Sequence, residues 1–193
     1  MRERIEATIR ATIDLHERLL EQAAAIERVG RRLADVFAGG HALYVMGNGG
    51  SAADAQHMAG ELVGRFLMER RPLPCQALST DTSVLTALAN DYGPDDVFAK
   101  QVAAFAREGD AVLGISTSGN SANVLAGMKE AERLGATTIA LTGRDGGELA
   151  AGADLAIIVP AAETPRIQEA HATIIHILCD MVEQILFADA GGR

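Results

Sequence analysis

His57 and Glu61 stand four residues apart in GGSAADAQHMAGEL, and Gln168, His171 and His176 lie together in RIQEAHATIIHIL. Residues at i and i+4 share one face of a helix, so the His57 imidazole and the Glu61 carboxylate point the same way. Imidazole plus carboxylate at this spacing suits a zinc ion, or equally a solvated His–Glu pair. The second group sits among Ile167, Ile174, Ile175, Ile177 and Leu178, where a histidine is more often a satisfied core residue than a ligand. Gln168 and His176 are roughly 12 Å apart along a helix axis. Joint ligation of one ion would need a loosened helix start or two different chains.

A different chemistry is suggested by residues 110–124, DAVLGISTSGNSANV. Ala111 to Ile115 is a short apolar run, the pattern of a buried strand. It feeds Ser116, Thr117, Ser118, Gly119, Asn120 and Ser121, after which Val124, Leu125 and Met128 recur at helical spacing. Strand, hydroxyl-rich turn and helix start form an anion site, because free backbone N–H groups and the positive end of the helix dipole converge there. Ser121 is placed to cap that helix. No Lys or Arg lies in the loop, so a phosphate would be held by hydrogen bonds and the dipole. The alternative is an ordinary serine-rich turn. An earlier loop has the same logic. The apolar run Ala42 to Met46 enters Gly47-Asn48-Gly49-Gly50-Ser51, and a helix follows from about Ala52 to Phe66. Gly47, Gly49 and Ala52 nearly satisfy the dinucleotide fingerprint, but no acid follows at the distance a nicotinamide site requires.

These side chains need a scaffold. Further strands are expected at Cys75–Leu78, Thr137–Leu141 and Leu155–Val159, with helices from Thr82 to Ala89, at Val97–Phe105 and from Thr164 to Phe187. Ser79-Thr80-Asp81-Thr82 is read as a helix-capping run, Asn90-Asp91-Tyr92-Gly93 turns the chain, and Thr164 would cap the last helix with Pro165 at its first position. Five apolar strands alternating with helices imply a five-stranded, parallel, doubly wound α/β sheet, which binds ligands at the carboxyl ends of its strands. Residues 2 to 38 read as helical, punctuated by Gly30 and Gly39-Gly40, with Ile5, Ile9, Ile13, Leu20 and Ala24 on one face. That stripe must be covered, by a second subunit or by the chain's own domain. The tail Ala190 to Arg193 is expected to fray.

With 193 residues, 48% of them hydrophobic, the chain suits one domain with a core of its own. A net charge of −9, no basic stripe and 4% aromatics disfavour nucleic acid. Cys75 and Cys179 have no metal or disulfide spacing and fit a reducing compartment. The charged start MRERIEATIR lacks a signal core, and no uninterrupted apolar run is long enough for a membrane span. A cytoplasmic protein is expected.

GNGGSAADAQH, STSGNSANV, LTGRDGGELA and RIQEAH together resemble the sugar isomerase (SIS) family, and within it the phosphoheptose isomerase branch, over nearly the whole chain. The resemblance implies one flavodoxin-like SIS domain over 1–193, with residues 1–38 as helices for oligomer packing and 39–188 as the sugar-phosphate-binding core. It implies that Asn48, Gly49, Gly50, Ser51, Glu61, Asn90, Asp91, Ser116, Thr117, Ser118, Ser121 and Gln168 contact substrate. It also implies one Zn2+ per subunit on His57, Glu61, Gln168 and His176, in a homotetramer with active sites at subunit interfaces. The implied reaction interconverts sedoheptulose 7-phosphate and D-glycero-D-manno-heptose 7-phosphate, the first step towards ADP- or GDP-heptose and lipopolysaccharide. An aldose–ketose shift needs a base and an acid facing two adjacent carbons, and Glu61 and His176 are the candidates, Glu61 as the carbon base. A non-catalytic branch of the family binds the bacterial replication initiator, and its members are expected to lack residues able to serve at these two positions. Isomerisation of another sugar phosphate is the other alternative.

Overall fold

The computed structural model describes residues 1–188, and the tail from Ala190 lies outside them. Its strands are β1 (Leu43–Gly47), β2 (Cys75–Ala77), β3 (Ala111–Ser116), β4 (Thr137–Gly143) and β5 (Leu155–Val159). Among the described residues they form one all-parallel sheet in the order β2-β1-β3-β4-β5. The order reverses between β1 and β3, and the two loops singled out in the sequence leave the carboxyl ends of those two strands. That is the topological switch point where such sheets bind ligands.

Alternation along each strand divides the core. Leu43, Val45, Leu113, Ile115, Ile139 and Leu141 face one layer, while Met46, Val112 and Ala140 face the other. The first layer is covered by α2 (Ala23–Ala38), α3 (Gly50–Val63) and α8 (Thr164–Phe187). The second is covered mainly by α5 (Val97–Phe105), α6 (Ala122–Arg133) and the short α7 (Gly147–Gly152), with α4 (Thr82–Tyr92) at its margin. Helix α8 is long and apolar enough by composition to cross a membrane. Its Ile167, Ile174, Ile175, Leu178 and Val182 are instead fully buried in the first layer.

The N-terminal region resolves into α1 (Arg2–Arg18), a 3-10 turn (Leu19–Gln22) and α2. The chain's own domain covers one part of this region and leaves the other exposed. Helix α2 folds back on its own domain through Ile26, Val29, Leu33 and Phe37, whereas Ile5, Ile9 and Ile13 of α1 remain more than half exposed and Leu20 is 76% exposed. Gly30 does not punctuate; it lies inside α2, where a Cβ would stand 2.7 Å from the Met181 side chain. Glycine there allows α2 and α8 to approach closely.

Three expected helix ends are corrected. Asp81 caps α4 by accepting from Val84 N at 3.0 Å, but α4 continues past Ala89 to Tyr92, so Asn90 and Asp91 are its last turn rather than a loop. Thr164 is already helical; the flanking residue is Glu163, and Pro165 takes the second position, where its missing N–H still costs no bond. Ser121 does flank α6, yet its hydroxyl makes no capping bond because Ser116 claims it.

Candidate functional site

The glycine loop is built by backbone conformation. Gly49 has φ 56° and ψ −120°, a region L side chains rarely enter. The turn it makes lets Ser51 N donate to Asn48 O at 3.0 Å, and α3 starts at once. Ser51 is buried, and the Gln168 amide lies so close over Gly50 that a Cβ there would overlap it.

The hydroxyl loop follows the same plan. Ser116, at the end of β3, is buried, and its Oγ is 2.9 Å from Ser121 Oγ and 3.4 Å from Ser118 Oγ. Gly119, at φ 68°, accepts Leu149 N on its carbonyl and leaves no space for a Cβ against the Gly146 carbonyl. The 143–147 loop therefore buttresses the cradle from behind. Thr117 is half-buried and makes no hydrogen bond among the described residues, so its hydroxyl is free to donate.

A residue absent from the sequence-level candidates joins the two loops. Asn123 Nδ2 donates to Asn48 Oδ1 at 2.9 Å, and Asn48 Nδ2 returns a bond to Asn123 Oδ1 at 2.8 Å. Asn123 Oδ1 also accepts Val124 N at 3.0 Å in the first turn of α6. The signal for it was an Asn two residues beyond the helix-flanking serine, a type that favours such local bonds. Asn90 and Asp91 bond each other at 2.8 Å and have no hydrogen bond to either loop among the described residues.

Helices α3 and α8 carry the titratable cluster. Gln168 meets Gly50, and eight residues on His176 meets His57, seven residues beyond Gly50. The two helices thus run parallel and almost in register. His176 Nε2 is 3.2 Å from His57 Nε2, and His57 Nε2 is 3.2 Å from Glu61 Oε1. Glu61 Oε2 has no hydrogen-bond partner among the described residues. One ligand atom from each of His57, Glu61 and His176 lies within 4.8 Å of the others. Ligands on a tetrahedral zinc at its usual bond lengths stand about 3.4 Å apart, so the three fit one metal ion. Gln168 lies on the same helix seam, with its amide over Gly50. Because α8 is regular from Thr164 onward, the loosened helix start that would bring Gln168 to the same ion does not occur.

Asp54 precedes His57 by one helical turn and was not among the candidates. Its Oδ2 is buried without a partner, and burial pushes its carboxyl up to about 6 against the pull of His57. An acid three residues before a ligand-type histidine was the available signal.

His171 is the core histidine that the apolar pattern favoured, but only one of its ring nitrogens is paired, and Nδ1 is buried without a partner. It is fully buried, its Nε2 donates to Thr142 O at 3.1 Å, and burial pushes its pKa down to about 4. The unfolded chain then binds a proton between about pH 6.5 and 4 that the folded chain refuses, so this residue's contribution falls as pH falls through that window. Asp54, with its raised pKa, acts in the opposite sense, so the comparison must be made against a variant. The stability gap between wild type and His171→Gln, read as urea midpoints, is expected to narrow from pH 7.5 to pH 5. A pH-independent gap would contradict it.

Comparison with known proteins follows the same lines. Residues 9–143 match the SIS domain family. The phosphoheptose isomerase of Geobacter sulfurreducens is 58% identical over 184 residues, covering 95% of this chain and 97% of that protein. That of Aquifex aeolicus is 51% identical over 187 residues, covering 96% and 98%. Among solved structures, the phosphoheptose isomerase of Neisseria gonorrhoeae superposes with a TM-score of 0.91 at 42% identity, covering 95% of this chain and 98% of that one. The Vibrio vulnificus NanR protein, at 13% identity and a TM-score of 0.70, shares the fold alone. The chain therefore belongs to the SIS domain family and, within it, to the phosphoheptose isomerases.

Proposed function

We propose that this protein interconverts D-sedoheptulose 7-phosphate and D-glycero-D-manno-heptose 7-phosphate through an enediol, the first step towards ADP- or GDP-heptose. The observation that carries the proposal is the meeting of Glu61, His176 and His57 on two helices that both begin at the anion cradle. From Gly50 to His57 is roughly 10 Å along the helix axis. An extended seven-carbon chain spans about 7.5 Å at ordinary backbone bond spacing, and about 10 Å from C1 to the phosphorus. A phosphate seated on Ser116, Thr117, Ser118, Ser121 and the Asn48–Ser51 loop would therefore place C1 and C2 near Glu61. The length of the sugar, not only its phosphate, is selected.

The Glu61 carboxylate removes the C1 proton from the ketose and later delivers a proton to C2. His176 carries the proton between the two oxygens, protonating O2 as the enediol forms and accepting the O1 proton as it collapses. Glu61 uses Oε2 for this transfer, since Oε1 faces His57. His57, Glu61 and His176 would hold a Zn2+, three protein ligands with an open position being the usual catalytic arrangement, and the ion would polarise the substrate carbonyl. The open position falls to substrate or to Gln168 of a second copy. Within its own chain Gln168 sits over Gly50, where its amide would contact the sugar phosphate, while Asn90 and Asp91 at the end of α4 would contact substrate from the opposite side. The exposed stripe of Ile5, Ile9, Ile13 and Leu20 supports assembly with further copies, as a homotetramer with its active sites at subunit interfaces. The substrate class and two free cysteines support a cytoplasmic location.

Purified protein incubated with sedoheptulose 7-phosphate should form the aldose phosphate, lose activity on chelation and regain it with zinc. A folded protein that forms no product under any metal condition would refute the proposal.

A further inference from the structure

The segment that leaves α3 is held by a buried charge pair between Arg70 and Glu183. Glu183 on α8 is fully buried and accepts three successive backbone N–H groups, from Phe66 at 2.9 Å, Leu67 at 2.8 Å and Met68 at 2.8 Å. Its other contact is Arg70 Nε at 3.0 Å, whose side chain is 1% exposed. The Arg70 guanidinium then takes up carbonyls at the end of α3: Leu62 at 2.8 Å, Gly64 at 3.0 Å and Glu61 itself at 2.8 Å. These are among the acceptors a helix end leaves without partners.

A desolvated ion pair is a costly way to close a helix, and an apolar plug often serves stability equally well. What the pair adds is fixed geometry. The strapped segment carries Phe66, whose ring stacks on His176 at 5.4 Å between centroids and 23° between planes. The His176 ring also meets His57 edge-on, at 4.8 Å and 82°. Glu183 follows His176 by two helical turns, so both project from one face of α8. The same clamp therefore grips α8 below His176, α3 at the Glu61 carbonyl and the backbone N–H of Phe66.

We infer that Phe66, fastened by the Glu183–Arg70 clamp, is the positioning residue that sets the His176 ring against His57 and Glu61 for proton transfer. The inference rests on the isomerase assignment. If the strap only anchored a surface loop, the residue at position 66 would be kinetically silent.

The test compares wild type, Phe66→Leu and Phe66→Tyr, leaving the buried clamp intact so that all three fold. Steady-state kinetics with sedoheptulose 7-phosphate are read beside NMR of 13Cε1-labelled histidine in metal-free protein, where five signals are expected and His176→Gln identifies the one needed. A mispositioned proton-transfer group should cost Phe66→Leu about tenfold in kcat with KM within about twofold, because the phosphate cradle lies on other loops. Its His176 signal should move as the ring current is lost, and Phe66→Tyr should restore both. The inference is overturned if Phe66→Leu keeps wild-type kcat, if kcat and KM worsen together, or if tyrosine rescues neither readout. Wild type that is inactive, with a His176 signal that still responds to Phe66→Leu, would instead sink the isomerase assignment and leave only the ring contact standing, and with it the inferred kinetic role would fall.

Discussion

Glu61→Gln is expected to lower kcat by about 10³-fold while KM changes by no more than about threefold, the pattern of a lost general base rather than lost binding. Glutamine keeps the shape and the contact with His57 but has no basic oxygen to take a proton from carbon. The nearest other acid on the same face is Asp54, seven residues earlier, and it cannot substitute because its Oδ2 is buried. Glu61 is also a candidate metal ligand, so the variant must be assayed at saturating zinc with its bound metal measured. A second readout separates the two roles: exchange of the substrate C1 hydrogen with deuterated water, followed by NMR. Wild type should exchange during turnover and Glu61→Gln should not. If the variant with full metal content retains activity within about tenfold of wild type, the carbon base is another residue.

The parts of this site visible in the sequence are those whose cause is local. The run ALYVM followed by GNGGS, and AVLGI followed by STSGNS, specify strand, loop and helix within a dozen residues. Both loops do lie at the switch between β1 and β3. His57 and Glu61 share a face because helical geometry requires it, and they are 3.2 Å apart. What pattern could not supply was the register between helices distant in sequence. The spacing of Gln168 and His176 did not show that parallel packing of α3 on α8 sets the first over Gly50 and the second against His57. Ser121 looked like a cap, but the buried Ser116 hydroxyl competes for it. Asn123 and the Arg70–Glu183 pair stayed invisible for the same reason, since their partners lie 75 and 113 residues away along the chain. An Arg after a helix and a Glu inside one are, in sequence alone, ordinary surface residues.

Glu183→Ala should be among the most destabilising single changes in this protein, by about 3–5 kcal/mol, because it leaves a buried guanidinium without its counter-charge. It also takes the acceptor away from three backbone donors, the N–H groups of Phe66, Leu67 and Met68. At roughly 2–4 °C per kcal/mol for a chain of this size, the melting temperature should fall by about 10 °C. Removing Arg70 as well should cost little more: once Glu183 is gone the arginine is itself the problem, so Arg70→Met in the Glu183→Ala background should be neutral or partly restorative. Additive losses would mean that the two side chains act separately. Acid gives an independent check. Burial pushes the Glu183 carboxyl up, but the three N–H donors and Arg70 outweigh it and hold the pKa below the usual carboxylate value. A group depressed in this way contributes stability above its unfolded pKa and loses it as pH falls through its folded one. The difference between wild type and Glu183→Ala, large at neutral pH, should therefore shrink as the pH is taken below the ordinary glutamate range. If that difference instead grew on acidification, the charged clamp would not be what holds α3, the Phe66 segment and α8 together.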